Sequence, residues 1–556
     1  MSKCVFGFDF GTMSCRGVAL SLNDGKLLAS AEKEYSNGVI SGNLPNSDVV
    51  LPPEWFLQSP EDWIESMEFV SKKMLSDGGI SPDDVVGLGT DFTNCTLLPV
   101  LSDGTPLCMI DKYKHCPNAW PKLWKHHGAQ KYAEEIEDYA KKHTDWLKIY
   151  FGGSVSSEWV FPKVMQVLRE DPEIYQAADY FIEAVDWIVQ WMTGEVTRNY
   201  GILGVNAFWI KGRGFPDNDF LGALAPELKN IGEMKLSGHL LKPGDAAGRL
   251  TKKAADRLGL TERTVIAAGH GDSAVVASGI GVTQSGSMIL VMGTSTCHQM
   301  LYKDLQPIDG VCSIAADGMI PGLYSYESGQ PATGDVFSWF AHNCVPAEYK
   351  AEATLRGVNV LESLGAKAAA LRPAECGILA LDWLNGNRSI LSNYNLSGAM
   401  IGLTISTKPE EIYRSLVEAN LFGSRMILEN HERGGVKIDR VHAVGGIPAK
   451  SPWIMQTCAD ILGREISVPC IDNISARGAA VCGAVAVGGT EGCADFYEAA
   501  ERLVPKTERI YTPVPDNVIV YDELYRFYTE LHDMFGRNSK MMKILKDLRL
   551  RSLSCK

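Results

Sequence analysis

The stretch Phe6-Gly7-Phe8-Asp9-Phe10-Gly11-Thr12-Met13-Ser14 reads as a strand that ends on an acid and turns through a glycine into small hydroxyl residues. The apolar run from Val5 to Phe8 suits a strand buried on both faces. Gly11 has no side chain to block an approaching anion, and Thr12 and Ser14 bring hydroxyls and backbone N–H groups to the same turn, which suits a phosphate. Asp9, at the strand end, is then placed to hold a hydrated Mg²⁺ through water, because that ion keeps several waters and takes few protein ligands. An ordinary glycine hairpin with an exposed acid would read the same way, so the segment needs a second observation. It comes from Ile289-Leu290-Val291-Met292-Gly293-Thr294-Ser295-Thr296, again a strand, then Gly-Thr, then small hydroxyl residues. Two such turns half a chain apart imply two related lobes, the second offering Gly293, Thr294 and Ser295 to a shared cleft.

Length agrees, since 556 residues exceed one ordinary hydrophobic core. Gly, Thr, Gln and Ser cluster from Gly279 to Ser287, so the lobes are expected at residues 1–280 and 281–556. Val265–Ala268, Met288–Met292 and Val441–Val444 read as further buried strands. Pro60–Leu75, Gln130–Lys142, Pro409–Glu429 and Pro452–Leu462 carry helical spacing, which together means an α/β architecture.

Composition excludes several classes. A net charge of −14 opposes nucleic acid and anionic membrane surfaces, and no apolar run reaches the roughly 18 residues of a membrane span. The one basic run, Lys540 to Arg551, reads as an amphipathic helix or a frayed end. Asp9 interrupts the first apolar run and no cleavage pattern follows, so the start reads as a strand and not a signal peptide. Fourteen cysteines from Cys4 to Cys555 show no CxxC pair, which points to reduced thiols and a cytoplasmic protein.

Two more segments carry candidate chemistry. Ala268-Gly269-His270-Gly271-Asp272-Ser273-Ala274 puts a carboxylate on a glycine loop after a strand, where it could take a proton from a hydroxyl; a helix N-cap is the alternative. In Val444-Gly445-Gly446-Ile447-Pro448, the bare glycine pair lets a flat ring lie against the backbone, or is only a strand-to-helix loop. Ser451 and Pro452 then start a helix. His126-His127 lacks further ligands at metal spacing, and Glu327 reads as an acid near a helix start.

Taken in order, these segments resemble the FGGY carbohydrate kinases, a branch of the actin-like ATPase superfamily, over nearly the whole chain. The match is closest to the L-ribulokinase branch, carried by Asp91-Phe92-Thr93-Asn94-Cys95-Thr96, Leu123-Trp124-Lys125-His126-His127, Gly152-Gly153-Ser154-Val155-Ser156-Ser157-Glu158-Trp159, Gly293-Thr294-Ser295-Thr296-Cys297, Glu327-Ser328-Gly329-Gln330 and Leu381-Asp382-Trp383-Leu384-Asn385-Gly386. The resemblance implies two ribonuclease-H-like lobes closing on ATP, Mg²⁺ and a sugar. It implies Asp272 as general base, Asp9 to Ser14 and Gly293 to Thr296 as phosphate loops, and Gly445, Gly446 and Gln456 beside adenosine. Asn94, Asn206, Asp272 and Glu327 fall where members line the sugar pocket, and a homodimer is implied by analogy. The expected reaction converts L-ribulose to L-ribulose 5-phosphate. Members of that branch carry a lysine where this chain has Asn206, so D-ribulose and L-xylulose stay open as substrates. An actin-like ATP-binding regulatory protein without catalysis would share the phosphate turns but would not need Asp272.

Overall fold

The computed structural model describes residues 3–554; Met1, Ser2, Cys555 and Lys556 lie outside the described residues. Two seven-stranded sheets organise the chain. The first contains β1 (Cys4–Phe10), β2 (Ser14–Ser21), β3 (Leu27–Glu34), β4 (Val85–Phe92), β5 (Ala246–Arg249), β6 (Val265–Ala267) and β7 (His270–Gly271). Its order is β3-β2-β1-β4-β6-β5, with β7 also paired to β4. The second contains β8 (Ser287–Met292), β9 (Thr296–Tyr302), β10 (Ser313–Ala316), β11 (Tyr324–Gln330), β12 (Arg440–Val444), β13 (Ile466–Pro469) and β14 (Glu508–Tyr511), in the order β10-β11-β9-β8-β12-β13-β14.

The two sheets repeat one path. In each, a leading strand pairs antiparallel with the next strand and parallel with a later one, as β1 does with β2 and β4, and β8 with β9 and β12. Each leading hairpin carries one of the two Gly-Thr turns, so the weak sequence repeat marks a structural repeat. The helices read from periodicity are present as Pro60–Gly78, Gln130–His143, Pro409–Arg433 and Pro452–Leu462, and the basic run forms the helix Met541–Ser554. The thirteen described cysteines are free thiols.

The helix Ile474–Val487 comes from the second half of the chain yet lies on the first sheet. A Cβ on Gly7 would sit 1.9 Å from the Ala476 carbonyl oxygen, and one on Gly89 1.9 Å from that of Ala479, so only glycine permits this approach. The helix answers with small residues of its own, and a buried layer of Val5, Val18, Ala274, Ile289, Ala476 and Ala480 joins both halves. A separate aromatic core, including Trp55, Trp146, Trp159, Phe161 and Phe208, supports the helical insertions of the first half, which carry Glu158, Lys163 and Asn206.

Candidate functional site

Register assembles three carboxylates. Asp9 faces Asp91 across the parallel β1–β4 pair, and His270 of β7 faces Asp91 on its other side. Two residues later Asp272 opens the helix Asp272–Gly279, so all three acids gather where parallel strands end, the usual ligand edge of an α/β sheet. Asp91 is fully buried and neither carboxylate oxygen has a hydrogen-bond partner. Burial raises the Asp9 carboxyl, against the pull of Arg16, whose guanidinium lies 3.6 Å away. Burial and then Asp9 and Asp272 push Asp91 well above the carboxylate range. Asp272 is pushed up to about 7, by burial first and then by the charge of Asp9.

Asp272 is not a helix cap: Gly271 holds that position, and the Asp272 Oδ1 accepts from the N–H of Ser273 at 2.7 Å, leaving its other oxygen for a reaction partner. Asp91 is a further acid of the site, and its sequence signal is that Asp91-Phe92 repeats Asp9-Phe10 at a strand end, where the two phenyl rings stack at 4.7 Å.

Polar side chains link the halves beside Asp272. The Ser273 hydroxyl accepts from Asn94 Nδ2 at 3.4 Å and from Gln299 Nε2 at 3.2 Å, and Gln299 Nε2 also donates to Glu327 Oε2 at 3.1 Å. Glu327 sits mid-strand in β11 opposite Gln299, which corrects the expectation of a helix start. Burial raises its carboxyl, with Arg388 opposing. Ser273 and Gln299 carried no sequence signal beyond lying next to candidates.

Asn206 differs most from its expectation. It is fully buried, donating from Nδ2 to Glu183 Oε1 at 3.0 Å and to Cys95 Sγ at 3.5 Å, so it lies behind the Asn94 turn instead of lining the cleft. The cation in this layer is Lys163, equally buried, whose ammonium donates to the carbonyls of Cys95, Leu123 and Lys122. Burial pushes Glu183 up to about 8, with Lys163 opposing. Lys163 interrupts the apolar run Trp159-Val160-Phe161-Pro162-Lys163-Val164, a signal that sequence reading passed over.

The Gly-Thr turns face the cleft in different ways. Thr12 is tied down, its carbonyl accepting from Gln58 at 2.8 Å and its hydroxyl from Trp124 at 3.2 Å, while Gly11 N–H closes the turn on Ser14 O at 3.0 Å. The Ser14 hydroxyl is buried and donates to Glu32 at 2.7 Å. Gly293 and Thr294 offer carbonyls to the N–H groups of Gly334 and Thr333 at 3.0 and 2.8 Å, which anchors the turn, and a Cβ on Gly293 would meet nothing within 4 Å. Gly445 adopts φ +108° with its Cβ position 2.4 Å from Met292 O, whereas Gly446 beside it opens onto free space. Gln456 does not join them: its amide donates to Asp460 at 2.9 Å and to the Thr512 carbonyl at 2.9 Å, at the β14 edge.

The donor set fits a hydrated divalent cation. Asp91 brings two partnerless buried oxygens beside Asp9, and charge repulsion among the three acids is what a cation would relieve. Among the described residues no cluster of three His, Cys, Asp or Glu side chains can enclose a metal directly. His126 and His127 bond to Gln166 and Ser157 instead. Chemically, the site can accept a proton from a hydroxyl at Asp272 and can seat an anion between two open glycine turns.

The chain is similar to known proteins over nearly its whole length. The N-terminal domain of the FGGY family of carbohydrate kinases matches residues 4–279, and its C-terminal domain matches residues 288–487. A ribulokinase of Anoxybacillus flavithermus is 43% identical over 546 residues, 98% of this chain and 97% of that protein. A ribulokinase of Mycolicibacterium smegmatis is 42% identical over 549 residues, 98% of this chain and 96% of that protein. The crystal structure of a xylulose kinase from Rhodospirillum rubrum superposes with a TM-score of 0.75 at 21% identity, covering 96% of this chain and 98% of that one, and so shares its fold. By sequence and by fold, the chain belongs to the FGGY family of carbohydrate kinases.

Proposed function

We propose that the chain transfers the γ-phosphoryl group of ATP to the 5-hydroxyl of L-ribulose, giving ADP and L-ribulose 5-phosphate. Relatives over 40% identical across the full length carry the name ribulokinase, which supports this sugar class. The observation that carries the mechanism is the Asp272 carboxylate, pushed up to about 7 at the junction of the two halves. A base with that affinity takes the proton of the sugar hydroxyl as the oxygen–phosphorus bond forms and the bond to the departing ADP breaks. Asn94 and Glu327, joined through Ser273 and Gln299, are read as sugar contacts, since a carboxylate and an amide oxygen both accept from hydroxyls. Asn206, Lys163 and Glu183 form the layer behind them and are read as setting the pocket's shape.

Gly11, Thr12, Gly293, Thr294 and Ser295 are read as the phosphate turns, Gly446 as the adenosine platform and Gly445 as its support. Asp9 and Asp91 would hold Mg²⁺ through water, and the ion would neutralise charge on the transferring phosphoryl group. The sheets support a division into sugar-binding residues 1–280 and nucleotide-binding residues 281–556, with Ile474–Val487 returning to the first sheet. Among the described residues no helix is long and apolar enough to cross a membrane, and a cytoplasmic location is the reading we favour.

A homodimer is read from one face of the second half. An apolar groove of about 370 Å³, lined by Ile378, Leu379, Ile401, Phe527 and Met534, borders the strand Ala399–Ile401, which pairs on one side only. The loop beyond it exposes Ile405 fully, and we read the groove and this apolar side chain as the surfaces that would meet a second copy. Sedimentation of the parent and Ile405→Glu tests it: a dimer that becomes monomeric supports the reading, and a monomeric parent overturns it.

The kinase reading is tested by Asp272→Asn, which should bind ATP as the parent does and lose sugar-dependent ADP release. Equal turnover in both proteins would remove Asp272 as base, and a chain that binds ATP but turns over no sugar would favour the regulatory alternative.

A further inference from the structure

A cross-lobe ion pair borders the sugar side of the cleft. Glu158 belongs to the first half, on the loop that leads into Val160–Glu170, where Trp159 is fixed in the aromatic core. Arg388 belongs to the second half. Its Nη2 donates to Glu158 Oε1 at 3.1 Å, and the two side chains are only 15% and 12% exposed. A pair this withdrawn from water is screened little by salt, and either charge left alone would be poorly solvated.

Arg388 is also fastened to the strand that carries Glu327. The next residue, Ser389, donates its N–H to Gly329 O at 3.0 Å, and the Ser389 hydroxyl accepts from Gly329 N–H at 3.1 Å. Asn387 and Asn393 exchange backbone hydrogen bonds at 3.0 and 2.7 Å, closing the loop, and Arg388 Nε donates to the Tyr394 hydroxyl at 3.4 Å. The guanidinium therefore comes from a rigid loop two residues along β11 from Glu327. Its positive charge opposes the burial that would neutralise Glu327, while Glu158 acts in the other direction. Gly152 and Gly310 touch at the same seam, with Gly310 N–H donating to Gly152 O at 3.4 Å.

We propose that Arg388 and Glu158 form a clasp across the seam between the lobes, in which Arg388 is a positioning residue for Glu327 in the sugar site. The proposal rests on the reading of Glu327 as a sugar contact. Glu158 holds the guanidinium beside the strand that carries Glu327, the bonds from Ser389 to Gly329 fix that strand's position, and the two lobes are held at the separation in which a sugar hydroxyl reaches Asp272. Sugar binding, and not nucleotide binding, is what the clasp serves.

Steady-state kinetics of the full chain with ATP, Mg²⁺ and L-ribulose test this in Glu158→Gln, Arg388→Met, Arg388→Lys, the Glu158→Gln/Arg388→Met double variant and Glu327→Gln. Each single neutralisation should raise the sugar KM about tenfold or more and leave the ATP KM within about twofold. The double variant should be no worse than Arg388→Met, since the pair acts as a unit, and Arg388→Lys should recover part of the loss. Melting temperatures should fall in the single neutralisations, which leave one poorly solvated charge, and recover in the double variant, so KM values are read on the folded fraction. A sugar KM raised by Glu327→Gln but unmoved by every change at Glu158 and Arg388 overturns the clasp and leaves the sugar-site reading standing. A sugar KM unmoved by all of them overturns both.

Discussion

Asp91 stands opposite Asp9 in the parallel register of the two central strands, fully buried and with both carboxylate oxygens unpartnered. Like charges so placed cannot both ionise cheaply, and Asp272 adds a third. The folded protein therefore holds protons on this cluster at pH values where the unfolded chain has released them.

Stability should accordingly fall as pH rises. For carboxyls whose folded value is raised, the fold is favoured below the unfolded value and that advantage is lost as pH climbs towards the folded one. Asp91→Asn should raise the melting temperature by about 1–3 °C at pH 8 and by less at pH 5. Thermal melts at the two pH values check it, and a larger gain at pH 5 would contradict the sign.

Catalysis should follow the opposite limb. Asp272 must be ionised to act as base, so with its carboxyl at about 7, kcat/KM should drop roughly tenfold per pH unit below that point. Asp272→Asn should lose about 10²–10⁴ in kcat at pH 8, a deficit that narrows as pH falls below about 7, with ATP affinity within about twofold. A pH–rate profile from 5 to 9 measures both.

The paired glycines should separate fold from function. Gly445→Ala forces a Cβ to 2.4 Å from Met292 O at φ +108° and should cost roughly 1–3 kcal/mol of stability. Gly446→Val meets open space, so its melting temperature should hold while the ATP KM rises about tenfold. Melts and ATP titrations of both variants distinguish the two.

Lys163→Met should damage the layer behind the sugar pocket. Three backbone carbonyls would lose their donor and Glu183 one of the two cations beside it, the other being Arg198, costing about 2–4 kcal/mol. The sugar KM should rise more than the ATP KM, which kinetics on the folded fraction would show.

Much of this was legible in the sequence because glycines and acids at strand ends have few readings once they recur in order. Gly7-Phe8-Asp9-Phe10-Gly11-Thr12 gave the leading hairpin, and its partner at Gly293 gave the second sheet. What stayed hidden depends on which way a side chain points. Ser14 suits a phosphate turn and Asn206 can donate to a sugar, yet each bonds into the protein, to Glu32 and Glu183. Gln456 keeps helical spacing but bonds at a sheet edge, and Lys163 looked like an interruption of an apolar stripe until its three carbonyl partners were brought to it by distant loops. The return of Ile474–Val487 to the first sheet needed glycines on both surfaces, a complementarity that becomes visible only when the two are packed together.

The most direct measurement is ADP release by the purified protein with ATP and Mg²⁺ across L-ribulose, D-ribulose, L-xylulose, D-xylulose, L-fuculose, L-rhamnulose and glycerol. The account predicts the highest kcat/KM for L-ribulose, with Asn206 tolerated because Lys163 supplies the cation of the buried layer. A higher kcat/KM for another sugar would contradict it.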